Sequence, residues 1–493
     1  MATYYVATDG VDQDPPTGGT FENPWRTSYF AASKVSAGDT VYFRAGTYQA
    51  KYSYNASECV NVTTSGTEEN PITFAAYQDG GNFEEVWFDG QENNDWIVTI
   101  SSRNWWTFDG IHMKDARYGG VIAENGCEGI VVKRCKITNV GALASAGCVY
   151  FKQASNSKVQ YCELYEASTG VYVGYQGIAS GQAGSNNLVE WCLIRDNDLR
   201  TNSSDGITWR TSTNGIIRNC VFLGNYEDGI DCGGHGLDGL LIQDVVCAGG
   251  GLEYEDYGNG IKIGQSGTTP APTGTVVKRA IIFNNYGQGI QGSGNEIGHT
   301  IYNSIIWRNR EFGIVLNAGQ LCNFKNNVAC YNNPDDAGGD GSHDIADSGS
   351  ATAMNDSDYN CIEDTQDYND LQGDGHDGNS INAAASFDSA PAALTGTYAT
   401  DRAAIEAAID LNIWTGGNWT TRTPNTDFGK VAGFVASGAD ANIVNAGVDV
   451  GEEYQGAAPD IGAYEWTEAG SASGTVAVCR AGMAGMRGML TGV

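Results

Sequence analysis

Proline is scarce in this chain, with 10 residues in 493, and cations are scarcer than acids, with 27 Lys and Arg against 59 Asp and Glu. The resulting formal charge of -32 excludes the broad basic surface that nucleic acid or an anionic membrane requires. No run approaches the roughly 20 apolar residues of a membrane-spanning helix. The opening "MATYYVATDG" shows no basic or apolar leader region, so no signal peptide is visible. An extracellular or virion-surface location is expected, reached with a leader already removed or by release inside a virus particle. Helical periodicity is almost absent, which excludes the helical repeats.

Glycine is abundant at 67 residues, and short strand-like segments recur. Aligned on one small residue, they read "VVKRCKI", "KVQYCEL", "LVEWCLI", "IIRNCVF", "LIQDVVC", "VVKRAII" and "TIYNSII". The aligned positions are Cys135, Cys162, Cys192, Cys220, Val245, Ala280 and Ser304, stepping by 27, 30, 28, 25, 35 and 24 residues. A second series, "TGVYV", "DGITW", "DGIDC", "NGIKI", "QGIQG" and "FGIVL", follows the later members. Repeats of this period built from short strands predict an all-β, right-handed parallel β-helix. A 493-residue chain is also too long for one ordinary core, as a solenoid allows.

Stacking accounts for several columns without invoking function. Cys135, Cys162, Cys192 and Cys220 read as a ladder of buried thiols rather than disulfides. Val171, Ile207, Ile230, Ile261, Ile290 and Ile314 read as a second core ladder. Asn197, Asn225, Asn285 and Asn309 each follow the small residue by five positions and are expected to hydrogen-bond along the stack. The expected layout is an N-terminal cap over 1–50, the β-helix over 51–333, and rungs with long loops over 334–466. "DRAAIEAAIDLNIW" predicts a helix near 401–414 with Asp401 as its N-cap. The Gly/Ala/Met tail over 467–493 is a candidate self-assembly segment.

One column remains unexplained by packing. Residues before the second-series glycines run Asp205, Asp228, Asn259 and Gln288; those two after run Thr208, Asp231, Lys262 and Gln291. Adjacent rungs lie about 4.8 Å apart, so Asp205 should sit over Asp228, and Asp231 beside Lys262. Alternation turns these side chains out of the core onto one solvent-facing patch. Carboxylates so close repel unless a cation is present. Asp205, Glu227, Asp228 and Asp231 therefore read as a Ca²⁺ site, since Ca²⁺ takes several oxygen ligands. The plainer alternative is an acidic turn that binds nothing. Lys262 reads as a general base whose proton affinity a nearby metal would lower, or alternatively as the surface partner of Asp231.

On "NSSDGITW", "NYEDGIDCGG" and "YGNGIKIG" the sequence resembles polysaccharide lyase family 9, the β-helical pectate lyases. The resemblance implies Ca²⁺ ligands at Asp205, Glu227, Asp228 and Asp231 and the Brønsted base at Lys262. Glu227 stands where the family usually has Asp, and Ile261 where it usually has an aromatic. The implied activity is β-elimination in an acidic, pectate-like polysaccharide. Trp209, Arg210, Lys278, Arg279 and Arg308 are then expected to line the substrate groove. Two rival readings are a β-helical glycoside hydrolase using paired aspartates and a virion spike or decoration protein. Neither gives Lys262 a role in chemistry.

Overall fold

A computed structural model describes residues 1–49, 58–141, 147–174, 184–198, 204–233, 239–253, 258–264, 274–292, 298–316, 322–332, 344–347, 354–358, 360–362, 381–382, 391–392, 398–431 and 434. The chain divides into two units, Met1–Leu240 with Asn412–Asn425, and Leu241–Leu411 with Thr426–Val493. Among the described residues no helix is long and apolar enough to cross a membrane.

The first unit is built from three parallel sheets, to each of which a full rung contributes one strand. One sheet runs through Thr3–Val6, Thr40–Phe43, Ile72–Ala76, Trp106–Asp109, Val131–Lys133, Lys158–Gln160, Leu188–Glu190 and Ile216–Arg218. The second runs from Gly46–Gln49 through Lys136–Val140 and Glu163–Ala167 to Val221–Leu223. The third includes Trp96–Ser101, Gly119–Glu124, Val149–Phe151, Val171–Val173, Ile207–Trp209 and Ile230–Cys232. The fold is thus the expected parallel β-helix. The segment expected as a cap already takes part in it, because Thr3–Val6 and Thr40–Phe43 pair in register. Between them lies the helix Ser28–Lys34, capped by Thr27, whose Oγ1 accepts from the Phe30 amide at 3.1 Å.

In four successive rungs the corner between the first and second sheets is turned by one left-handed residue. Arg134, Tyr161, Trp191 and Asn219 have φ of 57°, 55°, 56° and 53°. Each such residue costs roughly 1–2 kcal/mol outside glycine, so neighbouring rungs must hold it there. The residue after each corner is the aligned cysteine, turned inward. Cys162, Cys192 and Cys220 direct their thiols at carbonyls of the preceding rung, Val132, Val159 and Val189, at 3.6, 3.7 and 3.7 Å. Cys135, Cys162, Cys192 and Cys220 are buried and form no disulfide, as the ladder reading requires. The core column Val171, Ile207 and Ile230 is fully buried and in register.

Residues Asn412–Asn425 belong to this unit and lie against its second sheet. Arg422 donates to the Gly110, Arg134 and Trp419 carbonyls at 3.2, 3.3 and 2.8 Å and covers the Phe83 ring. His112 packs between Trp87 and Trp419, and its Nδ1 accepts from the Lys136 amide at 3.0 Å. Burial, with Arg422 and Lys136 nearby, pushes its proton affinity well below the usual value of 6.5.

The second unit repeats the plan. Its sheets include Leu241–Gln243, Val276–Lys278 and Thr300–Tyr302; Val246–Ala248, Ile281–Phe283 and Ile305–Trp307; and Ile261–Ile263, Ile290–Gly292, Ile314–Leu316 and Ile345–Asp347. The asparagine ladder is present. Asn285 donates to Asn309 Oδ1 at 2.9 Å, Asn309 to Asn332 at 3.0 Å, and Asn332 to Asp344 at 2.8 Å. In the first unit Asn197 donates to Asn225 at 2.9 Å. The expected helix spans Tyr398–Ala408, so Asp401 lies inside its first turn instead of capping it. It stops before Ile409, which bridges Val431. The 467–493 tail lies outside the described residues.

Two outcomes follow from this packing. His112 binds a proton more readily unfolded than folded, so its contribution to stability is full above about pH 6.5 and lost as pH falls below it. Thermal unfolding from pH 7 to 5 should show a shallower acid loss in His112→Asn; an unchanged slope would remove His112 as a cause. Asn309→Ala strands a donor on Asn285 and an acceptor on Asn332, and should cost about 3 kcal/mol, read as a lowered denaturation midpoint.

Candidate cation and substrate site

The outward column of the third sheet in the first unit runs Ile122, Tyr150, Tyr172, Thr208 and Asp231, fixed by strand register. Alternation sets each between two inward neighbours, as with Thr208 between Ile207 and Trp209. Gly206 opens the strand of Thr208. A Cβ there would lie 2.5 Å from the Gly229 carbonyl, so only glycine lets the rungs close. This close approach sets Asp205 over Asp228. The Asp228 amide donates to Asp205 Oδ1 at 3.2 Å, and the Gly206 amide donates to the Asp228 carbonyl at 2.9 Å. Thr208 Oγ1 donates to Asp205 Oδ2 at 2.6 Å.

Asp205, Asp228 and Asp231 each offer a carboxylate oxygen within 4.8 Å of the others. They are 0, 3 and 4 % exposed, so the patch expected to face solvent is covered. Burial, then Asp231, Asp228 and Glu227, raises the proton affinity of Asp205 well above the ordinary carboxyl range. Glu227 is half-buried beside the cluster, its amide donating to the Ser204 carbonyl at 3.2 Å.

Arg210 follows the strand directly and is itself buried. Its Nη2 meets Asp231 Oδ2 at 2.7 Å and its Nη1 meets Asp231 Oδ1 at 3.3 Å. Nη1 also donates to the Gly233 carbonyl, and the guanidinium hydrogen-bonds the Tyr172 hydroxyl. Tyr172 packs edge-on to Tyr150 at 4.8 Å between centroids, and Tyr150 lies 6.2 Å from Trp96. An aromatic row therefore leads along the sheet to the acids. It was not among the expected site residues, although Tyr172 stands two after Gly170 in the same column as Thr208.

The donor set fits a hard divalent cation. Three buried carboxylates and Glu227 face one guanidinium, and oxygen donors of this kind suit Ca²⁺. Arg210 is itself a cation seated on one of those carboxylates.

The remaining expected residues are more scattered. Trp209 is corrected to a core residue: it is fully buried, with Nε1 donating to the Ser212 carbonyl at 3.0 Å. Arg279 is a left-handed corner residue paired with Asp244 at 2.7 and 2.8 Å. Lys278 ends a strand in register with Gln243 and Tyr302. Arg308 packs on the Tyr331 ring at 5.0 Å. In the second unit, Lys262 lies between inward Ile261 and Ile263, half-buried and in register with Gln291. Gly260 packs against Ile282 and the Gly289 carbonyl, and Asn259 Oδ1 accepts from the Gln288 amide at 2.8 Å. These contacts explain the "GNGIK" pattern before any chemistry is assigned to it.

A family model described as "Pel9A-like, right handed beta helix region" matches residues 4–336. Pectate lyase PEL9 of Emericella nidulans is 22% identical over 371 residues, covering 67% of this chain and 79% of that protein. Pectate lyase L of Dickeya chrysanthemi is 22% identical over 347 residues, covering 66% and 70%. The crystal structure of pectate lyase Pel9A is similar with a TM-score of 0.58 at 19% identity, over 95% of this chain and 97% of that one, which shows the shared fold.

Removing one buried charge tests the electrostatics directly. Asp205→Asn should raise the unfolding temperature in chelator, because it relieves repulsion, and should abolish any stabilisation by added Ca²⁺. An unfolding temperature lower than wild type in chelator would contradict the repulsion.

Proposed function

We propose, from the premise that this chain belongs to the Pel9A-like right-handed β-helix family, that it is a calcium-dependent polysaccharide lyase acting on a uronate-containing, pectate-like polymer. The observation that carries this reading is the buried Asp205–Asp228–Asp231 cluster. Three acids with a fourth, Glu227, beside them would be an unfavourable arrangement without a cation. The two pectate lyases similar in sequence support the substrate class.

In this reading Asp205, Glu227, Asp228 and Asp231 hold Ca²⁺. Held there, the ion would supply positive charge against the substrate carboxylate, making the C5 proton more acidic and the anion left by its removal more stable. Lys262 in its neutral form takes the C5 proton. The electron pair of that C–H bond becomes the C4–C5 double bond as the C4–O bond breaks. The departing oxygen is protonated from solvent. Tyr172, Tyr150 and Trp96 would offer an aromatic row beside the acids, and Arg210 a guanidinium for uronate. An acidic polysaccharide substrate places the protein's work outside the cell.

Incubation with polygalacturonate should give unsaturated-uronate absorbance that EDTA abolishes and Ca²⁺ restores. Lys262→Ala should lower kcat by about 10²–10⁴-fold, the usual contribution of a general base, with the circular dichroism spectrum unchanged. Reducing ends without unsaturation would point to a hydrolase and overturn the lyase reading. Full activity in Lys262→Ala would remove the lysine from its role.

A further inference from the structure

The Arg210 guanidinium is seated on Asp231, one of the three clustered acids. It is forked on both Asp231 oxygens, 2.7 and 3.3 Å away, and tied to the Gly233 carbonyl and the Tyr172 hydroxyl. Its backbone is anchored as well, the Arg210 amide donating to the Val173 carbonyl at 2.8 Å. Its Nε is buried without a hydrogen-bond partner. A guanidinium left with an unpaired buried N–H is incompletely satisfied in this position, since such a group costs about 1–3 kcal/mol. Asp231, in turn, stands within 4.8 Å of Asp205 and Asp228. Asp205 makes no such fork among the described residues: its oxygens receive the Thr208 hydroxyl and the Asp228 amide.

We propose that Arg210 is a resident counter-ion that a divalent cation must displace from Asp231. The proposal rests on the cation reading above and adds to it a built-in competitor. With no metal bound, the guanidinium offsets part of the repulsion among the buried acids and keeps Asp231 from standing unpaired. A divalent ion that gathers several carboxylates at once outweighs a single charge bound to one of them. A monovalent ion has no such advantage over the fork. The competition therefore weakens cation affinity. Displacement leaves the guanidinium beside Tyr172 with its fork free, in the planar geometry that pairs with a carboxylate.

The sign of one affinity change decides the matter. A merely structural Arg210 would hold Asp231 in position for the ion, and its loss would weaken binding. A competing Arg210 predicts the reverse. Calcium affinity is measured by calorimetry, and terbium affinity by sensitised luminescence, on the full chain after chelator treatment. Arg210→Gln should bind both ions about tenfold more tightly, equivalent to about 1.4 kcal/mol. Arg210→Lys keeps the charge without the fork and should fall between wild type and Arg210→Gln; it also serves if the glutamine variant folds poorly, as judged by circular dichroism. Affinity unchanged or weakened in both variants overturns the proposal. So does a crystal structure with calcium bound and Arg210 still forked on Asp231. If neither wild type nor either variant binds calcium or terbium, the cation reading itself fails and the proposal with it. Binding by wild type that the variants do not improve leaves the cation reading standing and removes only the competitor.

Discussion

Strand pairing between successive rungs, residue against residue in parallel, is the constraint from which every special position in this chain derives. Parallel register repeats each side chain at one strand spacing, so any choice of residue is made against its own copies. Apolar residues tolerate this well, and Val171, Ile207 and Ile230 simply stack. Amides tolerate it because each can donate to the next and accept from the last, as Asn285, Asn309 and Asn332 do. Carboxylates do not, because they only accept. Where the register stacks Asp205 on Asp228 and sets Asp231 beneath Thr208, charge accumulates with no self-complementary solution. A cation, bound or built in, is the available remedy.

That contrast separates the structural ladders from the candidate site. The asparagine column is closed: its last recorded member, Asn332, ends on Asp344, a carboxylate that receives the final amide. The aspartate cluster is open, receiving a hydroxyl, a backbone amide and a guanidinium from three different directions. Arg210 can reach it because it is the first residue beyond its strand, freed from the alternation that turns Trp209 inward.

The fold was legible in the sequence because two periodicities coincide: alternation within each strand and recurrence of the rung. The thiol, isoleucine and asparagine columns all follow from aligning the segments. The stacking of Asp205 on Asp228 was legible for the same reason. Trp209, standing two after Ile207, faces the same way as Ile207, into the core and away from the groove. Charge and nearness in sequence point to Lys278, Arg279 and Arg308, whereas their rung position puts Lys278 on a different sheet and the others at corners. The Arg210–Asp231 pair could not be read at all. It joins residues 21 apart through a side-chain path that register alone does not specify. Burial of the acids was equally hidden, since alternation tells which way a side chain leaves the core but not what covers it.

The left-handed corner has a consequence for how such a chain can change. From Arg134 to Asn219 in the first unit, and at Asp244, Arg279 and Asn303 in the second, one left-handed residue and its inward neighbour join the first sheet to the second, whereas between Ile72–Ala76 and Val86–Asp89 the hairpin of Gln78–Asp79 and Asn82–Phe83 intervenes. Where the joint is that short, a single inserted residue would reverse the facing of the strand that follows. The connections around the third sheet differ in length from rung to rung, while the strands they join keep their register. In the first unit the connections that vary in length are those that flank the sheet carrying the acids. New specificities can be tried in the walls of the site while the frame that holds its charges stays fixed.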